Sequence, residues 1–201
     1  MNMKDCISCV DKPCTDMDTR GYVIPDADIN PADIRIIMIA ESPPPDPADH
    51  FYATGMPFYL ETTIQAFNEA GAPVRSMQDI IDLGVYITTA VKCAKTSHAI
   101  SRETIARCSS LLNEELSLFP GARVYMLMGD VAIRAMNNIL RKPYEKSIIP
   151  TGSTYKLRGQ AYYAGDVKLF PSYTPAGKSF LIEKSKRRMV VEDIREALKI
   201  R

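Results

Sequence analysis

The sequence predicts an α/β fold: a three-layer α/β/α sandwich around a mainly parallel central sheet of about four strands. Short apolar runs rich in β-branched residues alternate with segments whose apolar residues recur at helical spacing, which is the pattern of βαβ units. The chain has 201 residues, 46% hydrophobic and 24% charged, which suits one globular domain with a full core. We therefore expect residues 1–201 to form a single domain, with a cysteine-bearing N-terminal arm over 1–33 and a basic C-terminal helix over 178–201.

The predicted elements follow in order along the chain. Strands are expected at 34–40, 85–91, 123–128 and 167–170, where short apolar runs contain β-branched residues. Helices are expected over 57–70, from Ser101 to about Leu116, over 131–140 and from about 184 to 200. Parallel sheets carry their sites at the carboxyl ends of the strands, so the loops after Ala40, Val91, Met128 and Phe170 should converge.

Charge and hydropathy limit the possible function classes. The apolar runs are far shorter than the roughly 20 residues that cross a bilayer, and the first residues lack the apolar stretch of a signal peptide. We therefore expect a cytoplasmic protein that does not contact a membrane. The net charge is only +1, but basic residues are concentrated from Lys178 onwards. Such a run is ordinarily a solvated helix face, and phosphate binding is the alternative.

The five cysteines are Cys6, Cys9, Cys14, Cys93 and Cys108. An odd number without a secretion signal disfavours a disulfide framework. Cys6-x-x-Cys9 can offer two thiolates to one centre and Cys93 and Cys108 two more, which suits zinc or an iron–sulfur cluster. The long separation of Cys93 and Cys108 favours a cluster, and the alternative is that both are small buried hydrophobic residues. Lys12-Pro13 indicates a turn, so Cys14 is expected to be the spare thiol.

Three loops at predicted strand or helix ends carry candidate site residues. Glu41 follows the first strand beside three prolines, Phe58 opens a helix, and the segment 171–178 combines stiff turns with hydroxyls and Lys178. Each also has a plain interpretation: a solvated loop acid, a core aromatic and a simple connection.

Taken together, these features resemble the iron–sulfur (family 4) uracil-DNA glycosylases of the uracil-DNA glycosylase superfamily. The resemblance runs from Cys6 to about Lys178, and its most specific part is Val91-Lys92-Cys93 with the later Cys108. It implies the glycosylase fold and a 4Fe–4S cluster held by Cys6, Cys9, Cys93 and Cys108. It also implies that the ring of Phe58, in the Pro57-Phe58 pair, stacks on an extruded base.

The chain departs from the family at three motifs. The family's Gly-Glu-x-Pro-Gly stands here as Ala40-Glu41-Ser42-Pro43-Pro44, the Asn that reads the base is Thr89, and the catalytic His is Thr174. A hydroxyl cannot match the two hydrogen bonds that an amide makes to a base edge, so the base preference or the activity should differ from the family's.

The sequence therefore predicts a monomeric iron–sulfur DNA glycosylase that flips and excises uracil or another damaged base, in single- or double-stranded DNA, during base-excision repair. We expect Glu41 and Thr174 to be catalytic, with Glu41 stabilising the sugar cation or positioning water. Base contacts are expected from Ser42, Phe58 and Thr89, and phosphate contacts from Lys178, Lys186, Arg187 and Arg188. The alternatives are a catalytically degenerate iron–sulfur protein that binds nucleic acid and, less favoured, a redox or damage sensor.

Overall fold

The computed structural model describes residues 1–10, 14–97, 99–141 and 147–200. A five-stranded sheet lies between two layers of helices, so the predicted three-layer sandwich is confirmed. The strands are β1 (Met17–Asp18), β2 (Ile36–Ala40), β3 (Val85–Thr89), β4 (Ala94–Lys95), β5 (Val124–Met128), β6 (Tyr162–Ala164) and β7 (Val167–Ser172). The helices are α1 (Phe58–Glu69), α2 (Met77–Asp82), α3 (Arg102–Ser117), α4 (Asp130–Leu140), α5 (Thr154–Leu157), α6 (Lys178–Ile182) and α7 (Lys184–Leu198).

The main sheet has the strand order β3-β2-β5-β7-β6. The first four of these strands are parallel, and β6 runs antiparallel to β7 at the edge. Ala40 lies opposite Thr89, and Met128 lies opposite Ser172, so four strands end at one edge of the sheet. The predicted convergence of the loops that follow these strands is thereby observed.

Strand β2, which lies between β3 and β5, is buried on both faces. Ile37 and Ile39 pack into one hydrophobic core, whereas Ile36, Met38 and Ala40 pack into the other. Because successive side chains of a strand point to opposite faces, a continuous apolar run is what a sheet covered by helices on both sides requires.

Some predicted boundaries were wrong. The sheet contains one strand more than expected, since β6 was not predicted. The strand expected over 85–91 ends at Thr89, and the C-terminal helix expected over 178–201 is two helices, α6 and α7, separated at Glu183. Glu183 has φ −92° and ψ 78°, which lies outside the helical region and ends α6.

The N-terminal arm is held by a second, two-stranded sheet in which β1 pairs antiparallel with β4. In the described ranges of the chain, the helices are too short or too polar to span a bilayer.

Candidate active site

Glu41 directly follows β2 and reaches the turn between β5 and α4. A Cβ atom at Gly129 would lie 2.9 Å from Glu41 Oε1, and Gly129 has φ +101°, so both the contact and the backbone favour glycine there. The Glu41 side chain is 34% exposed, and its Oε2 lies 3.4 Å from Lys95 Nζ. The Glu41 carboxylate therefore lies between Gly129, the residue before α4, and the Lys95 ammonium group, and one side of it is open to solvent.

A cavity of about 170 Å³ opens beside this carboxylate. Its lining combines one acid, two basic side chains and two aromatic rings: Glu41, Gly129, Tyr173, Thr174, Ser179, Phe180, Lys186 and Arg187. The volume is below the roughly 300 Å³ of pockets that enclose a drug-sized ligand. Such a cavity can take one part of a larger substrate and leave the rest outside.

Thr174 lies on the cavity wall and makes only a weak hydrogen bond. Its Oγ1 donates to the Met128 carbonyl at 3.5 Å, the upper limit for such a bond. The hydroxyl can therefore turn towards a bound group at little cost.

Ser42, Phe58 and Thr89, the residues expected to contact the base, are not among the described residues that line this cavity. Thr89 and Ser42 are buried at the ends of β3 and β2, and Phe58 is half-buried at the first residue of α1. The first turns of α1 contact the loop before α6, because the Gly177 N–H donates to Thr62 Oγ1 at 3.0 Å. The structure thus brings Glu41 and Thr174 together at one cavity, whose described lining does not include the three candidates for base contact.

The four basic residues differ in how they are engaged. Lys186 pairs with Glu183 at 2.6 Å, and its Nζ lies 5.5 Å from the centre of the Tyr173 ring. Arg187 contacts the carboxylate of Glu69 through two nitrogens, which raises the pKa of its guanidinium and joins α7 to α1. Lys178 and Arg188 are exposed, away from the cavity lining.

The family model of the uracil DNA glycosylase superfamily matches residues 27–199, which include the whole main sheet and the cavity. The chain belongs to the uracil DNA glycosylase superfamily. This match confirms the superfamily that the sequence motifs predicted.

This chain aligns with two curated type-5 uracil-DNA glycosylases and spans about half of the length of each. A type-5 uracil-DNA glycosylase of Pyrobaculum aerophilum is 32% identical over 115 residues, which are 57% of this chain and 45% of the relative. A type-5 uracil-DNA glycosylase of Thermus thermophilus is 29% identical over 119 residues, which are 58% of this chain and 51% of the relative. The closer resemblance to family 4 stays a prediction.

Several residues at or beside the candidate site were missed by sequence reasoning. Lys95 contacts Glu41 across a sequence separation of 54 residues, which no local pattern indicates. Tyr59 packs against Gly177, and burial, followed by the charges of Asp49 and Glu41, raises the pKa of its phenol. The one available signal was its position directly after Phe58 in the Pro57-Phe58 motif.

The lysine of the Val-Lys-Cys motif is buried, with 1% of its side chain exposed. Lys92 Nζ donates to Glu115 Oε2 at 2.5 Å, to Thr88 Oγ1 at 2.8 Å and to the Thr89 carbonyl at 2.6 Å. Glu115, also fully buried, accepts from the Tyr86 hydroxyl at 2.6 Å and from Thr88 Oγ1 at 2.8 Å. Lys92 therefore fixes the carboxyl end of β3. Glu115 was missed, although an acid among the apolar residues of α3 could have revealed it.

The cysteines of this superfamily member lie in two different settings. Cys93 and Cys108 are buried in one hydrophobic core, and Cys14 packs against that core. The Cys9 N–H donates to the Tyr22 hydroxyl at 2.8 Å. Cys6 is exposed, and its thiol lies 3.4 Å from the Asn2 carbonyl. In the described part of the chain, no three His, Cys, Asp or Glu side chains are grouped as ligands of a single metal ion.

Proposed function

We propose that the protein is a DNA glycosylase that hydrolyses the N-glycosidic bond of uracil or another damaged base in base-excision repair, in the cytoplasm. The observation that carries this proposal is the cavity in which Glu41 and Thr174 meet two basic side chains at the carboxyl edge of the sheet. Superfamily membership and the type-5 names of the two relatives support the same chemistry.

Glu41 is the residue that acts on the sugar. Cleavage of the glycosidic bond leaves positive charge on the deoxyribose, and a partly exposed carboxylate can stabilise that charge or orient the attacking water. The contacts with Gly129 and Lys95 hold the carboxylate in place before the substrate arrives. A fixed negative group costs no reorganisation during the reaction, which is the main advantage of a preorganised site.

The departing base carries negative charge, so it needs hydrogen-bond donors and a stacking surface. Thr174 Oγ1 can donate to the base, because its present bond to Met128 is weak. Phe58 is half-buried and can stack on an extruded ring, and Thr89 and Ser42, which are buried at strand ends, are the other proposed base contacts. Hydroxyl donors in place of an amide and an imidazole favour an altered base preference.

DNA is the proposed partner, and the basic C-terminal helices are its proposed contact. Lys186 lies at the cavity wall, and Lys178 and Arg188 are exposed on the same two helices. A phosphate placed there would meet positive charge within reach of the carboxylate that acts on the sugar. The alternative of a degenerate binding protein uses the same surface without cleavage.

A 4Fe–4S cluster is the proposed cofactor, and the donor set fits it. Cys93 and Cys108 lie in the same hydrophobic core, and Cys14 packs against that core. The Cys9 N–H donates a hydrogen bond to the Tyr22 hydroxyl. When bound, the cluster would cross-link the N-terminal arm to the end of β3 and to α3.

The test is single-turnover base release by iron-loaded protein on single- and double-stranded oligonucleotides that carry uracil, hypoxanthine, xanthine or a thymine mismatch. Glu41→Gln should slow release by about 10²–10³-fold, the cost of losing one preorganised group. Glu61→Gln, an exposed acid on α1, is the matched control and should leave the rate unchanged. Release that does not depend on Glu41 would refute its role, and DNA binding without release on any substrate would establish the degenerate binding protein.

A further inference from the structure

The segment just after Cys14 is fixed to the segment just after Cys93. Asp18 in β1 pairs with Ala94 in β4, and β4 begins at the residue that follows Cys93. The Val23 N–H also donates to the Lys92 carbonyl at 2.8 Å. Two sets of backbone hydrogen bonds therefore hold this part of the arm against the Val-Lys-Cys step.

The same segment is also fixed to the start of α3, the helix that carries Cys108. Asp16 Oδ2 accepts from the Ser101 N–H at 2.8 Å, and its Oδ1 accepts from Thr104 Oγ1 at 2.5 Å. The Asp16 carbonyl accepts from Thr96 Oγ1 at 2.9 Å. Asp16 lies two residues after Cys14, so Cys14 is positioned between the strand end of Cys93 and the helix of Cys108.

The thiols themselves reflect this placement. Cys108 interacts electrostatically with the nearby Cys14 and Cys9, and the Lys92 N–H bonds to the Cys108 sulfur. Tyr22, which accepts from the Cys9 N–H, feels the charges of Cys9, Cys93 and Cys108.

Cys6 is anchored elsewhere. It directly follows a single 3₁₀ turn, Met3–Asp5, and this turn and the two residues before it bind the segment 26–29. The Met1 amino group donates to the Ile29 carbonyl at 3.0 Å, and Lys4 Nζ pairs with Asp26 at 2.6 Å. The Cys6 side chain is exposed, and its sulfur points to the backbone of Asn2.

We propose that Cys14, and not Cys6, is the fourth thiolate of the cluster, together with Cys9, Cys93 and Cys108. This inference rests on the cluster in the proposed function. Cysteines separated by four residues, as Cys9 and Cys14 are, occur among iron–sulfur ligands. The turn predicted at Lys12-Pro13 lies outside the described residues.

The first experiment compares Cys6→Ser with Cys14→Ser after anaerobic reconstitution, by iron and sulfide content and by visible absorbance. Wild type and Cys6→Ser should each hold about four iron atoms per chain, and Cys14→Ser should fall well below this, as Cys93→Ser should. Full iron in Cys14→Ser, or loss of iron in Cys6→Ser, would overturn the inference.

A second experiment avoids substitutions altogether. Iron-loaded wild-type protein is alkylated with iodoacetamide, and the modified cysteines are located by mass spectrometry before and after removal of iron with a chelator. Cys6 should react at once, and Cys14 should react only after the iron is removed. Equal reaction of both in the loaded protein would overturn the inference. If the wild-type protein binds no iron, both this inference and the proposed cluster are wrong. The glycosylase assignment would not be affected, because base release alone tests it.

Discussion

Replacement of Glu115 by Gln tests the buried network below the strand end. The substitution keeps the shape of the side chain but leaves the Lys92 ammonium, 1% exposed, without a charged partner. Removing one partner of a buried ion pair costs about 3–5 kcal/mol. The Gln carbonyl can still accept one hydrogen bond, so we expect about 3 kcal/mol. In a domain of this size each kcal/mol lowers Tm by roughly 2–4 °C, which gives a decrease of about 6–12 °C.

The measurement is urea and thermal unfolding followed by circular dichroism, with the proteins compared at equal iron content. Glu114→Gln is the matched control, because Glu114 is the exposed neighbour on the same helix and should change stability by less than about 0.5 kcal/mol. Adding Lys92→Met to Glu115→Gln removes the stranded charge and should recover part of the loss. If Glu115→Gln unfolds like its control, the pair contributes nothing and our account of the strand end is wrong.

Three further predictions address the pH dependence, the turn beside the carboxylate and the DNA contact. Burial, and to a lesser extent the charge of Lys92, lowers the pKa of His50 from 6.5 to about 4. As the pH falls below 6.5, His50 is protonated in the unfolded chain before it is protonated in the folded one, so the free energy of unfolding decreases. Between pH 7 and pH 4.5, wild type should lose about 2–3 kcal/mol more than His50→Gln in urea unfolding, and equal losses would contradict this. Gly129→Ala and Gly159→Ala both place alanine at positive φ, so each should lower the free energy of unfolding by more than about 1 kcal/mol. Only Gly129→Ala, whose Cβ meets the Glu41 carboxylate, should also slow base release, by up to about 10²-fold. Lys186→Gln should reduce the salt slope of DNA binding by about 0.9. Lys199, the residue that follows α7, is paired with an acid at the same i,i+3 spacing, and Lys199→Gln should leave the slope unchanged.

The sequence predicted the parts of the fold that depend on local pattern. β2 and β5 are continuous apolar runs, and β3 and β7 contain shorter ones. The helix α3 begins after Ser101, where it was predicted to start, and the Ser101 side chain accepts from the Thr104 N–H. The strand-end rule for parallel sheets then predicted that Glu41 and Thr174 would lie near each other. These inferences need only the periodicity of side chains and the geometry of a βαβ unit.

The missed features depend on contacts between distant segments. β6 has three residues, and its pairing with β7 follows a turn at Gly165, which has φ +59°. Lys92 meets Glu115 across 23 residues of sequence. Such pairs are determined by how helices pack on the sheet, and the hydrophobic pattern of either segment alone does not contain that information.

The contacts of the arm connect the cysteines to the Glu41 carboxylate at the candidate active site. Lys95, which lies beside Glu41, belongs to β4, and β4 pairs with β1 through Met17. β1 follows Cys14 by three residues, so a cluster that fixes the arm also fixes the strand that carries Lys95. On the other side of Cys93, Lys92 holds the Thr89 carbonyl at the end of β3. A structural cluster in this position would therefore order both the Lys95 strand beside Glu41 and the end of β3, without taking part in the chemistry.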